Sequence, residues 1–159
     1  SIEHASLIDA EGIALAKAKG AWLVMDIYNG DYIDEVGRRD HWPDEILRKN
    51  RDTTEAQREG FRAAVRAGVR IAYGTDAGVY PHGLNARQFA YMVRFGMTPM
   101  QAIQSATRDA AIVMMREKDV GTISVGRFGD MIAVKGDPLT NIRTLESVKG
   151  VIKGGEQVR

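Results

Sequence analysis

The chain has 159 residues, 44% of them hydrophobic and 27% charged, a composition ordinary for one globular domain or a domain with a small appendage. A net charge of +1 gives no electrostatic argument for a nucleic-acid or membrane partner, and neither is expected. The absence of cysteine excludes disulfides and thiolate metal sites, and no apolar run approaches the roughly 20 residues that span a bilayer.

In chain order, residues 1–5 read as the end of a strand, with no basic leader region before it, so the chain reads as the continuation of something longer. Asp9 is placed to cap a helix from Ala10 to Lys19, and Gly20 suits its C-terminal end. Ala21 to Tyr28 (AWLVMDIY) is a near-continuous apolar run, as in a parallel strand buried on both faces. Residues 29–43, with Gly30, Gly37 and Pro43, read as a polar loop. Helical patterning resumes near Asp44, and a helix runs from about Thr54 to Ala67, capped by Thr53 or Thr54 and stopped by Gly68. A strand follows from Val69 to Thr75. Three more helices are expected: Asn85 to Phe95, capped by Asn85; one capped by Thr98, with Pro99 at its first position, to about Ser105; and roughly Arg108 to Arg116. The methionines among these helices read as core filler, and Arg62, Arg66 and Arg70 as solvated. The order β-α-β-α-β-α implies parallel strands joined by crossover helices. From Val120 glycines punctuate short β-like runs at Thr122–Val125, Asp130–Lys135, Val148–Lys153 and Glu156–Arg159, with Gly154-Gly155 as a hairpin turn. The boundary therefore falls between an α/β body at 1–118 and a small antiparallel unit at 119–159.

The chemistry-bearing residues gather at strand ends. In RIAYGTDAGVYPHGLN, Asp76 follows a buried strand and His82 lies in the same loop. Strand ends of this kind present catalytic carboxylates in (β/α) barrels. Asp76 reads either as a metal ligand and general base or as an ordinary turn aspartate. His4, at another strand end, is either an imidazole ligand or a structural histidine bonded to a carbonyl. His82 could be a third ligand, although its loop suits a substrate contact better. His41, in the polar loop, defaults to a solvated or structural role. Tyr28 is a candidate hydrogen-bond donor to an oxyanion or a rim aromatic. By alternation Asp26 and Tyr28 share one strand face. Asp26, Asp31 and Asp34 would together favour a cationic substrate, unless they are simply solvated.

The motifs SIEHA, GTDAGVYPHG, TPMQAIQSAT and VGTISVGRFGDMIAVKGDP resemble the amidohydrolase superfamily, nearest its prolidase-like branch of metal-dependent dipeptidases and carboxypeptidases. MDIYNGDY further resembles members that release C-terminal arginine or lysine. The resemblance implies an α/β fold, strands six to eight of a TIM barrel plus part of a small β-sandwich. It makes His4 a metal ligand and Asp76 both metal ligand and catalytic base. Tyr28 and His82 become substrate-binding residues, and zinc the expected metal. The same family uses a His-x-His pair, a carboxylated lysine and a further histidine on earlier strands, whereas this chain has three histidines and no His-x-His. The expected function is therefore the C-terminal portion of a peptidase cleaving before a C-terminal residue, Arg or Lys, with a Xaa-Pro dipeptidase as the alternative. A non-catalytic half-barrel module is the reading from another class. Either way the expected partners are a peptide substrate and a covering surface, namely a second copy or the N-terminal half. With two ligands in hand, the isolated 159 residues should bind zinc weakly. Tight stoichiometric zinc with peptidase activity, measured by equilibrium dialysis and dipeptide assay, would overturn that expectation.

Overall fold

The computed structural model describes residues 1–159. Strands β1 (Ile2–Glu3), β2 (Trp22–Met25) and β3 (Arg70–Tyr73) form a parallel sheet in the order β1-β2-β3. Ile2 pairs with Leu23, and Leu23 with Ile71, so the three strands run in step. Leu23 and Met25 are fully buried, as the apolar run demands of a strand covered on both faces. Helix α1 (Ala10–Lys19) links β1 to β2. Asp9 caps it by accepting from the Gly12 N–H at 2.8 Å, and Gly20 closes it at φ 64°. Helices α2 (Asn29–Arg39) and α3 (Asp44–Ala67) link β2 to β3, and α4 (Arg87–Arg94), α5 (Pro99–Ala106) and α6 (Arg108–Val113) follow β3. The core lies where Leu23, Met25, Ile27, Phe61 and Met92 meet. Strands β4 (Met131–Val134), β5 (Val148–Lys153) and β6 (Glu156–Gln157) form a second, antiparallel sheet, with a 3-10 turn at Ile142–Glu146. The fold is thus mixed α/β with two three-stranded sheets, and the parallel one is open rather than closed on itself.

The largest departure from the sequence expectations is the segment 29–43, which is a helix followed by a short turn rather than a polar loop. Its glycines are contact points, not breakers. A Cβ on Gly30 would lie 2.4 Å from Thr54 Oγ1, and one on Gly37 would lie 2.7 Å from Leu47 Cδ2. Spaced two turns apart, they let α2 lie antiparallel and close against α3. Asn50 locks the crossing by donating to the Gly30 carbonyl at 2.8 Å. Helix α3 is correspondingly longer than expected. At 24 residues it spans about 36 Å, and Thr53 and Thr54 sit inside it, their hydroxyls returned to the Lys49 and Asn50 carbonyls rather than capping. Its C-terminal half buries Gln57, Gly60, Phe61 and Ala64, the i, i+3, i+4, i+7 stripe of a core-facing helix.

Smaller corrections follow from tertiary contacts. Asn85 does not cap α4, because its side chain is engaged by Thr75 and Gly83 instead. Thr98 does cap α5, in a reciprocal pair with Gln101. Strand β2 ends at Met25, so Asp26 and Tyr28 lie beyond it rather than sharing a strand face. Thr122–Val125 is not a strand, and Ile123 and Val125 are exposed. Met25, Met92 and Met97 fill the core, whereas Met100, Met114 and Met115 are exposed. Arg62 and Arg70 are not merely solvated, for their guanidinium groups lie over the Phe95 and Trp22 rings at 4.6 and 5.7 Å.

The α2–α3 contact gives a graded prediction. Gly30→Ala meets the branched, rigid Thr54 side chain and should cost about 1–3 kcal/mol. Gly37→Ala meets only the end of Leu47 and should cost less. Thermal unfolding of the two variants in the full-length protein checks the order, and equal or absent effects would show that the helices do not approach at these positions.

Candidate metal centre

The chain leaves each parallel strand at the same end of the sheet, and each exit carries one polar side chain. His4 directly follows β1, Asp26 directly follows β2, and Asp76 lies three residues past β3. One ligand atom from each of the three falls within 4.8 Å of the others. The backbone is forced at these exits. His4, Ala5 and Asp76 adopt positive φ angles of 62°, 46° and 48°, three of only five non-glycine residues that do so. Such conformations cost on the order of 1–2 kcal/mol per residue, and they cluster here, where the surrounding structure holds them.

The three groups are not equivalent. Asp26 is buried, and His4 and Asp76 are exposed. Both oxygens of Asp26 are occupied: Oδ1 meets His4 Nδ1 at 3.1 Å and accepts from Gln57 Nε2 at 3.4 Å, while Oδ2 accepts from Asn29 Nδ2 at 2.6 Å. Burial pushes the Asp26 carboxyl above the usual carboxylate range; His4 opposes this by charge and hydrogen bond, and the Asp76 charge adds to it. With Nδ1 engaged by Asp26, the ring nitrogen of His4 left for a ligand is Nε2. This is how a carboxylate fixes the tautomer and direction of a ligating histidine. The donor set of imidazole and carboxylate suits zinc and neighbouring divalent ions, so these residues fit part of a metal site, with His4 and Asp76 offering the free atoms.

His4 and Asp76, both expected from the sequence, are therefore brought together. His82 is exposed on the loop beyond β3 and lies outside the cluster. Tyr28 is buried at the start of α2, and its hydroxyl accepts from Arg87 at 3.0 Å. Its ring meets those of Tyr80 and Tyr91 at 5.1 and 5.2 Å, and Tyr32 packs against Tyr80 at 5.6 Å. Sequence reasoning placed Asp26 among charges for a cationic substrate and missed its place in the cluster. The signal was the one that singled out Asp76, a carboxylate at the end of an apolar run. Asn29 and Gln57, which hold Asp26, carried no such signal.

The remaining acidic residues of that expectation are neutralised elsewhere. Asp31 meets Arg58 at 2.5 Å and accepts from the Tyr91 hydroxyl at 2.5 Å, tying α2 to α3 and α4. Asp34 pairs with Arg38 at 2.7 Å, one turn along α2.

Open strand ends that deliver an imidazole and two carboxylates to one point give an α/β protein with a candidate metal site on the carboxyl edge of a parallel sheet. The chain belongs to the amidohydrolase family, whose model matches residues 1–158. It is 31% identical to the ochratoxinase of Aspergillus niger over 98% of its length, and it spans 33% of that relative. A crystal structure of a Xaa-Pro dipeptidase with methionine bound in its active site superposes with a TM-score of 0.93 at 40% identity, over 99% of this chain and 39% of that one. A prolidase complexed with N-methylphosphonate-L-proline superposes at 0.89 and 26% identity, over 99% and 40%. The chain thus spans between a third and two fifths of the length of these relatives.

The Asp31 network gives a pH prediction. Burial raises the Asp31 carboxyl, but the Tyr91 and Arg58 hydrogen bonds and the Arg58 and Arg94 charges together outweigh it and leave the group below its ordinary value. A carboxylate depressed on folding stabilises above its unfolded pKa, and that stability is lost as pH falls through the folded value. Asp31→Asn should therefore lower the melting temperature by a constant amount at neutral pH, with the gap closing below about pH 4. A gap independent of pH down to acid unfolding would show that the charge of Asp31 plays no part.

Proposed function

We propose that this chain is the C-terminal part, strands six to eight, of a TIM-barrel metallopeptidase that cleaves the amide bond before a C-terminal residue. The observation that supports it most is the convergence of His4, Asp26 and Asp76 within 4.8 Å at three parallel strand ends. A divalent metal, zinc as first choice, would be held by His4 and Asp76 together with ligands from the rest of the protein. Such an ion lowers the pKa of a bound water to about 7 and polarises the scissile carbonyl. Asp76, exposed at the strand end, takes the proton of the attacking water and delivers it to the leaving nitrogen. Asp26 stays bonded to His4 and keeps its ring oriented. The Tyr28 hydroxyl accepts from Arg87, so its own proton is free to be donated to the oxyanion that forms on the carbonyl. His82, on the outer loop, contacts the substrate.

The substrate is a dipeptide or short peptide. A preference for C-terminal arginine or lysine would need an acidic side chain free to meet it, and Asp26, Asp31 and Asp34 are all paired. A neutral leaving residue such as proline agrees better with the tyrosines packed around Tyr28 and with the prolidase and Xaa-Pro dipeptidase relatives. Exposed Ile2, Leu7 and Leu15, on β1, α1 and the turn between them, favour a covering partner, either the remainder of the polypeptide or a second copy.

In the full-length, metal-loaded protein, Asp76→Asn should lower kcat by about 10²–10⁴-fold with KM little changed, and Xaa-Pro should be cleaved in preference to Xaa-Arg. An Asp76→Asn variant of full activity overturns the assignment of the base, and absence of any dipeptide hydrolysis favours the non-catalytic module.

A further inference from the structure

Helix α4 lies outside the three strand exits, yet Gln88 in its first turn reaches the backbone at Met25, Tyr28 and Gly74, on the approaches to Asp26 and Asp76. Gln88 is fully buried. Its amide nitrogen donates to the Met25 carbonyl at 2.9 Å and to the Gly74 carbonyl, and its oxygen accepts from the Tyr28 N–H at 3.4 Å. Two carbonyls on one side and an N–H on the other admit only one orientation of the amide. Met25 directly precedes Asp26, and Gly74 lies two residues before Asp76. The β2–β3 ladder ends at the pair Met25–Tyr73, so Gln88 bridges the strands where their own pairing stops.

Neighbouring contacts work in the same direction. Asn85 donates to Thr75 Oγ1 at 3.1 Å, beside Asp76, and the Tyr73 hydroxyl returns to the Asn85 carbonyl at 2.6 Å. Arg87 holds the Tyr28 hydroxyl while Gln88 holds the Tyr28 backbone. At Gly74 a Cβ would lie 2.4 Å from Val24 Cγ1, so the strand passes against β2 with no room to drift inward. Packing alone does not call for an amide at position 88. Met92, one turn on, fills the core with an apolar side chain, and a buried polar group is tolerated only where its partners are in place.

We propose that Gln88 is a positioning residue of the metal centre: by tying together the backbone just before Asp26 and just before Asp76, it sets the separation of the two carboxylates. The proposal rests on the metallopeptidase reading above. Gln88 touches neither substrate nor metal and acts through the two strand ends.

The test uses the full-length protein with cobalt(II) as a spectroscopic probe of the metal site. Gln88→Met removes all three hydrogen bonds at similar volume; Gln88→Glu keeps an acceptor for Tyr28 but removes the donors to the two carbonyls. Both should shift the cobalt visible spectrum, weaken cobalt binding about 10–100-fold, as loss of an outer partner of a metal ligand does, and lower kcat with KM little changed. Ser105→Ala, which removes a buried hydroxyl bonded to the Ala102 carbonyl, should lower the melting temperature and leave the spectrum as in the parent protein. Should Gln88→Met not fold, Gln88→Glu carries the comparison. Unchanged spectra and cobalt affinity in the Gln88 variants, with activity falling only as the folded fraction falls, would overturn the positioning role alone. If the parent protein shows no cobalt spectrum that Asp76→Asn abolishes, the metal centre itself is refuted, and Gln88 with it.

Discussion

The structure depends on three short parallel strands kept in step. Because Ile2, Leu23 and Ile71 pair across the sheet, the chain exits all three strands at one level, and His4, Asp26 and Asp76 just past them meet. A parallel ladder has a cost that shapes everything around it, since each return to the starting edge needs a crossover. Here the crossovers are α1 and the α2–α3 hairpin, and they also cover the sheet that would otherwise expose Leu23 and Met25. The convergence of His4, Asp26 and Asp76 is thus a consequence of strand register, which the crossover helices make possible.

Where the ladder stops, side chains continue it. Beyond Met25 and Tyr73 the β2–β3 ladder stops; Gln88 bridges the two strand ends, and Asn85 ties the β3 exit to the loop before α4. Asp26 is held in the same manner by Asn29 from α2 and Gln57 from α3. Amides are suited to this task because one group offers both donors and an acceptor without adding charge beside carboxylates. Left-handed backbone at His4, Ala5 and Asp76 is the counterpart: the chain bends sharply where these side chains converge.

The acidic residues after β2 divide between two tasks that their spacing does not reveal. Asp26 joins His4 at the strand end, whereas Asp31, five residues on, fastens α2 to Arg58 of α3 and Tyr91 of α4. In a linear sequence the two belong to one acidic cluster beside a strand. Once α2 is a helix, they face different partners.

Much of this protein was legible from its residues alone. The continuous apolar runs before Asp26 and Asp76, the caps Asp9 and Thr98, and the glycine stops at Gly20 and Gly68 depend on neighbours a few positions away, so the parallel α/β order and the strand-end positions of His4 and Asp76 could be read directly. Local rules failed where a residue's role is set by a distant partner. Gly30 and Gly37 look like loop residues until Thr54 and Leu47 lie against them; Gln57 and Gln88 look like surface amides until the strand ends arrive 31 and 63 positions away in sequence. Sequence by itself determined the three parallel strands and the polar residues at their ends, because periodicity and capping are local. Only the tertiary structure decided that Asp26 completes the cluster and that amides from other helices hold it, because those contacts exist only once the chain has folded.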